Sequence, residues 1–242
     1  TVTSAGSLNL GGGSLAVTNG TNSFAGAVNL AGGTAAVSGG INSITGATSL
    51  GGGTMTFSAG TNTVNSAVTL GGGARVFSGG TNSLGGSFTG SGSVTVSGGS
   101  LALLSSIVLA GDLQLGGGTI CLSGYNHTAN TLHVTSNSTI DFAGGNSTLS
   151  LTNFIIDAGV TMTVQNWANA ADYFYTQGWT GASFNVSGTA PMNQVVFSGY
   201  SASNTRWQSF DKQVTPVPEP STYGALLMVG LGALGAWRRL RR

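Results

Sequence analysis

Charge is what this chain has least of. Of 242 residues, 7 are Lys or Arg and 6 are Asp or Glu. Charged side chains are thus 5% of the total, where about 25% is usual. Between residues 1 and 111 the only one is Arg75. With a net charge of +1 the chain has no basic footprint for nucleic acid. A polar surface of Ser, Thr, Asn and Gly fits an exported structural protein better than a cytosolic enzyme. Cysteine is nearly missing too. Cys121 stands alone, which excludes an intrachain disulfide and a Cys-based metal site. His127 and His133 are the only histidines, and no third ligand stands at a clear metal-site spacing from them. The low charge does not signal disorder, because disorder pairs high net charge with low hydrophobicity and 40% of this chain is apolar.

Glycine is what fills the space: 42 of the residues, far above the usual ~7%. The glycines fall in a pattern that returns every 20 residues. Leu8-Asn9-Leu10 precedes Gly11-Gly12-Gly13, and Val28-Asn29-Leu30 precedes Ala31-Gly32-Gly33. Thr48-Ser49-Leu50 and Val68-Thr69-Leu70 each lead into three glycines in the same way. Other columns keep the step: Val17, Val37, Phe57, Phe77; Asn22, Asn42, Asn62, Asn82; Phe24, Ile44, Val64, Leu84. A fixed period of this length is the mark of a solenoid.

Each unit contains two short runs of alternating polarity and a third, weaker one, and none shows the i, i+3, i+4 stripe of a helix. Leu8-Asn9-Leu10, Ser14 to Val17 and the Asn22 to Phe24 region read as three strands, with glycines at corners that need sharp bends. Three strands with Gly corners make one coil of a parallel β-helix, each strand pairing with its counterpart one repeat later. The Leu10 and Val17 columns then fill a narrow core. The Asn22 column has two readings. Asn favours turns through αL geometry and Asx-turns, and that is the reading taken first; the other is a ladder of stacked amides. Arg75 falls on the Phe77 side by strict alternation, so it is expected at a corner, with its charge led out to solvent. Cys121 aligns through the preceding glycines with Ala16, Ala36, Thr56 and Val76, as a small strand residue.

Beyond Gly99 the period loosens. Phe88-Thr89-Gly90 opens a shortened unit, Leu113-Gln114-Leu115 with Gly116-Gly117-Gly118 restores the motif, and alternation continues to Val164. The expectation is a β-solenoid over residues 1–164. Residues 165–211 bring ten aromatic side chains between Trp167 and Phe210. An open solenoid end exposes strand edges and a cut core, so this region reads as a cap, with a carbohydrate-binding aromatic platform as the rival. Residues 212–222, with Pro216, Pro218 and Pro220, read as an extended linker. Residues 223–237 are uncharged and apolar or small. They are expected to form one transmembrane helix, short against the ~20 residues a span normally needs. Arg238, Arg239, Arg241 and Arg242 follow as a cytoplasmic stop. With a C-terminal membrane signal and no signal peptide at Thr1, the sequence is expected to lack an upstream portion.

Chemistry has few candidates. A catalytic or Ca²⁺ site needs carboxylates converging on one face. Asp112, Asp141, Asp157, Asp172, Asp211 and Glu219 are scattered, and before the cap only Asp141 and Asp157 fall within one coil-sized window. The glycine corners lack the Asp of Ca²⁺-binding repeats and the Lys-Ser/Thr of a phosphate loop. Leu122-Ser123-Gly124 is not a nucleophile elbow. The reading is therefore of no enzyme, no cofactor and no metal. A polysaccharide-binding module is the alternative, and a polysaccharide-active enzyme with its site outside this sequence the more distant one.

The C-terminus is the most specific stretch. Val217, Pro218, Glu219, Pro220, Ser221 and Thr222, then the apolar run, then the Arg-rich end, resemble the PEP-CTERM sorting signal of Gram-negative bacteria. That resemblance implies an exosortase-like membrane enzyme as processing partner, transient residence in the inner membrane, and delivery to the cell surface or an exopolysaccharide matrix. The repeats resemble the autotransporter-associated β-strand repeats of such proteins.

Overall fold

The computed structural model describes residues 1–217, and over these the chain winds into an all-β parallel solenoid of about eight turns. The pairing follows the sequence columns. Leu8, Asn9 and Leu10 lie beside Val28, Asn29 and Leu30, which lie beside Thr48, Ser49 and Leu50 and then Val68, Thr69 and Leu70, all parallel. Two further ladders run down the molecule from Ser14–Val17 and Thr21–Phe24. Alternation then decides burial. Leu30, Leu50, Leu70 and Phe57 are wholly buried, and Val37 and Phe77 almost so. The hydrogen bonds that each strand lacks within its own turn come from the next turn, as in Val28 N–H to the Ala47 carbonyl (2.8 Å) and Thr48 N–H to that of Ala67 (2.9 Å).

One corner shows why glycine recurs. Gly20, Gly40, Gly60 and Gly80 have φ of 90°, 74°, 82° and 75°, the left-handed region that costs an L side chain free energy. A Cβ on Gly60 would also stand 2.8 Å from the Gly39 carbonyl carbon in the turn below. Positive φ and backbone stacking thus impose the same residue in every turn.

The asparagine column is the buried ladder, not merely a turn. Asn22, Asn42, Asn62 and Asn82 are all buried. Each of the first three donates from Nδ2 to Oδ1 of the next at 2.8 Å. The same Nδ2 also reaches back to the carbonyl three residues earlier, 2.9 Å for Asn42 to Gly39. The amide therefore does both jobs, holding its corner and stacking on its neighbours. The Val2 N–H satisfies the first Oδ1 at 2.9 Å, and the last Nδ2 turns to the Ser100 carbonyl at 3.0 Å because Leu101 stands where another Asn would. Asn62→Ala is expected to cost ~1–3 kcal/mol in chemical denaturation, since it strands the Asn42 donor and the Asn82 acceptor in a dry core. A loss near zero would mean that water enters the ladder.

Three expectations need correction. Arg75 does not reach solvent. It is wholly buried between its ladder partners Met55 and Val94. Its position is mid-strand, and from there the inward-facing stem has no route around a corner. Leu113-Gln114-Leu115 does not restore the first ladder. It pairs with Val94, Thr95 and Val96 in the second, because the second corner is also glycine-rich: Gly116-Gly117-Gly118 stacks over Ser97-Gly98-Gly99 of the turn before. Cys121 accordingly pairs with Ala102 and Asp141 in the third ladder. It remains a half-buried strand residue.

The solenoid also runs past 164. Tyr173–Trp179 pairs in parallel with Thr148–Ile156, and Val195–Phe197 with Met162–Gln165. Aromatics cover the end. Phe154 packs on Phe174 (5.4 Å between ring centroids) and on Trp179 (4.8 Å), Trp179 on Trp207 (6.4 Å), and Trp207 on Phe184 (3.9 Å). A last antiparallel hairpin, Thr205–Trp207 with Val214–Pro216, closes the cap. Among the described residues no helix is long and apolar enough to cross a membrane; the expected span at 223–237 lies outside them.

Candidate functional site at the C-terminal exit

The sorting candidates begin where the described chain ends. Of the sequence-predicted residues, only Val217 is placed by the structure. Pro218, Glu219, Pro220, Ser221 and Thr222, and Arg238, Arg239, Arg241 and Arg242, lie outside the described residues. Val217 is half-buried, and its N–H donates to the Asn204 carbonyl at 2.8 Å. Upstream of it the chain is not a free linker. Val214 is wholly buried, and Thr215 and Pro216 are buried beside it. Gln213 bridges to Tyr175, and Thr176 N–H donates to the Lys212 carbonyl at 3.0 Å. The segment expected to be extended from 212 onward is, as far as Val217, part of the cap. Its alternate side chains are apolar and the last turn offers them a cut core to cover.

The titratable groups do not converge. The Asp141 carboxylate accepts from the Ala143 N–H (2.9 Å) and from Asn166 Nδ2 (2.7 Å). Asp157 pairs with His133 at 2.8 Å on the surface. Asp172, wholly buried, takes the backbone N–H groups of Ser147 and Ala168 at 2.9 and 2.7 Å. Each thus ties a turn. Among the described residues no group of three or more His, Cys, Asp or Glu is placed to hold a metal ion.

His127 is the group that sequence reasoning missed. It is wholly buried, with Nε2 2.9 Å from the Leu122 carbonyl and Nδ1 3.4 Å from the Ile107 N–H. These partners assign the proton to Nε2. Burial pulls its pKa below the usual 6.5, and the bond to Leu122 only partly offsets this. An unfolded chain then takes up the proton first, so stability falls as pH drops through about 6.5 toward the depressed value. His127→Gln is expected to flatten that slope in denaturation curves compared between about pH 7 and 5. Equal slopes in the two proteins would contradict it. Its inward position had a signal, since it keeps the parity of the Leu149 column.

Two surface features complete the inventory. An open cleft of about 450 Å³ runs along the turns beside Thr128, Asn130, Ser150 and Thr152. Tyr173 and Tyr175 stack on the outer face one turn further on, 5.6 Å between centroids and 9° apart.

Comparison with protein families finds the PEP-CTERM protein-sorting motif at residues 216–242. That motif implies export through an exosortase-like system. No curated protein and no solved structure matches the chain.

Proposed function

We propose that this chain is an exported β-solenoid that an exosortase-like enzyme processes at the inner membrane and passes to the cell surface or extracellular matrix. There it serves as a structural or adhesive spacer without catalytic activity. On this reading its 20-residue units are autotransporter-associated repeats. The observation that carries the proposal is the sorting motif at 216–242 joined directly to a folded solenoid. The surface supports it. Arg75, the only charged side chain of residues 1–111, is buried, so the first turns present no side-chain charge to solvent.

The test separates a sorting signal from a plain tail anchor, which needs only an apolar helix and terminal charges. Replacing Pro218, Glu219 and Pro220 with Ala is expected to leave uncleaved precursor in the inner membrane of a host that carries an exosortase. Deleting residues 238–242 is expected to weaken retention, so that precursor slips outward before it is processed. Precursor size and envelope fraction report both. Unchanged size and location of the Ala variant would favour the anchor.

A second reading, a polysaccharide-binding module, is favoured by the hydroxyl- and amide-lined cleft with the Tyr173 and Tyr175 rings beside it. Retention of the protein on matrix polysaccharide, lost in Tyr175→Ala, would support it.

A further inference from the structure

We infer that the cleft beside Thr128 and Ser150 binds an internal stretch of an uncharged polysaccharide, lying along the solenoid axis between Val108 and Tyr175. The inference rests on the polysaccharide-binding reading above and adds the extent of the site, the charge class of its ligand and the ligand's direction. Val108, Thr128, Ser150 and Tyr175 are successive partners on the outer face of the first ladder. Three steps of ~4.8 Å set the ends of this column ~14 Å apart, room for a few sugar rings. Val108 is 56% exposed, Thr128 is exposed, and Ser150 and Tyr175 are half-buried. The cleft opens where the first corner loses its glycines. Three of them separate Leu70 from Ala74, but Asn126–Val134 and Thr148–Ile156 each pass the corner as one strand. Its volume, about 450 Å³, lies within the ~300–1,000 Å³ of ligand sites.

A pyranose ring has an apolar C–H face and a rim of hydroxyls, and this column offers partners for both. Val108 and the Tyr175 ring supply apolar surface at its two ends. Between them stand the hydroxyls of Thr128, Ser150 and Thr152 and the amide of Asn130. Other outer hydroxyls are spent on backbone, as in Ser66 Oγ to the Gly46 carbonyl (2.6 Å) and Ser105 Oγ to that of Gly86 (2.5 Å). Among the described residues no group bonds to the three hydroxyls in the cleft, which leaves them to donate and accept. Tyr173 stacks on one face of Tyr175, and its own hydroxyl donates to the Ala170 carbonyl at 3.1 Å. The Tyr175 ring is thus braced before a ligand arrives, which lowers the ordering cost of binding. Charge selects the class. At one end Asp112 accepts from Asn130 Nδ2 at 3.2 Å. At the other, burial and then the negative charge of Asp211 raise the Tyr175 phenol above its usual pKa. Lys212, the cation of that turn, sets its Nζ 3.9 Å from the Phe184 ring centroid. A uronate or sulfate chain would therefore meet like charge, with no cation among the lining residues to pair it. A neutral chain meets no such repulsion.

The experiment is native affinity electrophoresis of the full chain in detergent. The gels hold hydroxyethylcellulose or galactomannan as neutral probes, or alginate as the anionic one. Retardation is expected in a neutral gel and not in alginate. Tyr175→Ala is expected to weaken it at least about ten-fold, as removal of an aromatic anchor does. Thr128→Val keeps the shape of an exposed side chain and removes its hydroxyl, and is expected to weaken retardation about three-fold. If both variants bind like the parent chain, the ligand lies elsewhere; that overturns the inference and leaves the binding-module reading standing. Retardation by alginate alone does the same. No retardation in any gel overturns both.

Discussion

Phe57→Ala is expected to remove ~3–5 kcal/mol of folding free energy, the range for emptying a fully buried aromatic site. Phe57 has no exposed surface. Its ring lies nearly parallel to that of Phe77, 5.5 Å between centroids and 10° apart, and its strand neighbour on the other side is Val37. The three ladders share one narrow core, in which Phe57 has only the inward side chains of the Leu50 and Val64 columns besides its own, so little can move in to fill the gap. Each turn touches only its neighbours, so the damage stays local and the transition should broaden, with the second to fourth turns exchanging first. Urea denaturation followed by circular dichroism measures it. A loss near zero would show that the column faces solvent.

Arg75→Met is expected to act in the other direction. The guanidinium sits in a hydrocarbon ladder with no carboxylate. Nη2 lies 3.1 Å from the Met55 sulfur, and the group stands 5.1 and 5.9 Å from the Phe57 and Phe77 ring centroids. Nε and Nη1 have no partner in the protein. Cation–π contact returns up to ~2 kcal/mol, which is less than the several kcal/mol that burying a charge costs. Burial pulls the pKa well below the ordinary arginine value, to about 9, so the group is still charged at neutral pH and the cost is present. Met continues the Met55 column at similar volume, and the variant should gain ~1–4 kcal/mol. The sign with pH follows. The unfolded chain holds this proton more tightly, so the native protein carries the full penalty below about pH 9 and loses it as pH rises from there toward the ordinary arginine value. The gap between the two proteins should narrow over that window. A less stable Arg75→Met protein would mean that the guanidinium has a partner in solution.

How far these features were legible depends on whether they lay in a column or in a single residue's surroundings. The 20-residue step gave the pairing of Leu10, Leu30, Leu50 and Leu70 directly, because parallel stacking turns sequence period into register. Alternation gave the burial of Phe57 and Phe77. Asn22 to Asn82 were visible as a column, with the ladder as the second of two readings behind a turn. Whether an amide lies inside or outside its corner depends on side-chain direction, which composition does not carry. Arg75 was placed by parity and then moved outward, on the general cost of a buried charge. Here the strand's inward register prevailed over that cost. Cys121 and Leu113 were misplaced because a glycine triplet marks a corner without saying which one. The edge strand at Val214–Pro216 was hidden by Pro216, whose extended preference serves an edge strand as well as a linker. The remaining sorting residues were legible only through resemblance.

The central claim is that a folded solenoid is carried to the cell surface by its C-terminal signal. A single outward cysteine tests it most directly. Thr69 is exposed on the outer face of the first ladder, and Cys121 is the only native thiol. Thr69→Cys in a Cys121→Ser background would be treated on intact cells with a membrane-impermeant maleimide. The account predicts labelling that requires both the exosortase and the intact Pro218-Glu219-Pro220 segment. Labelling indifferent to that segment, or no labelling of intact cells at all, would contradict it.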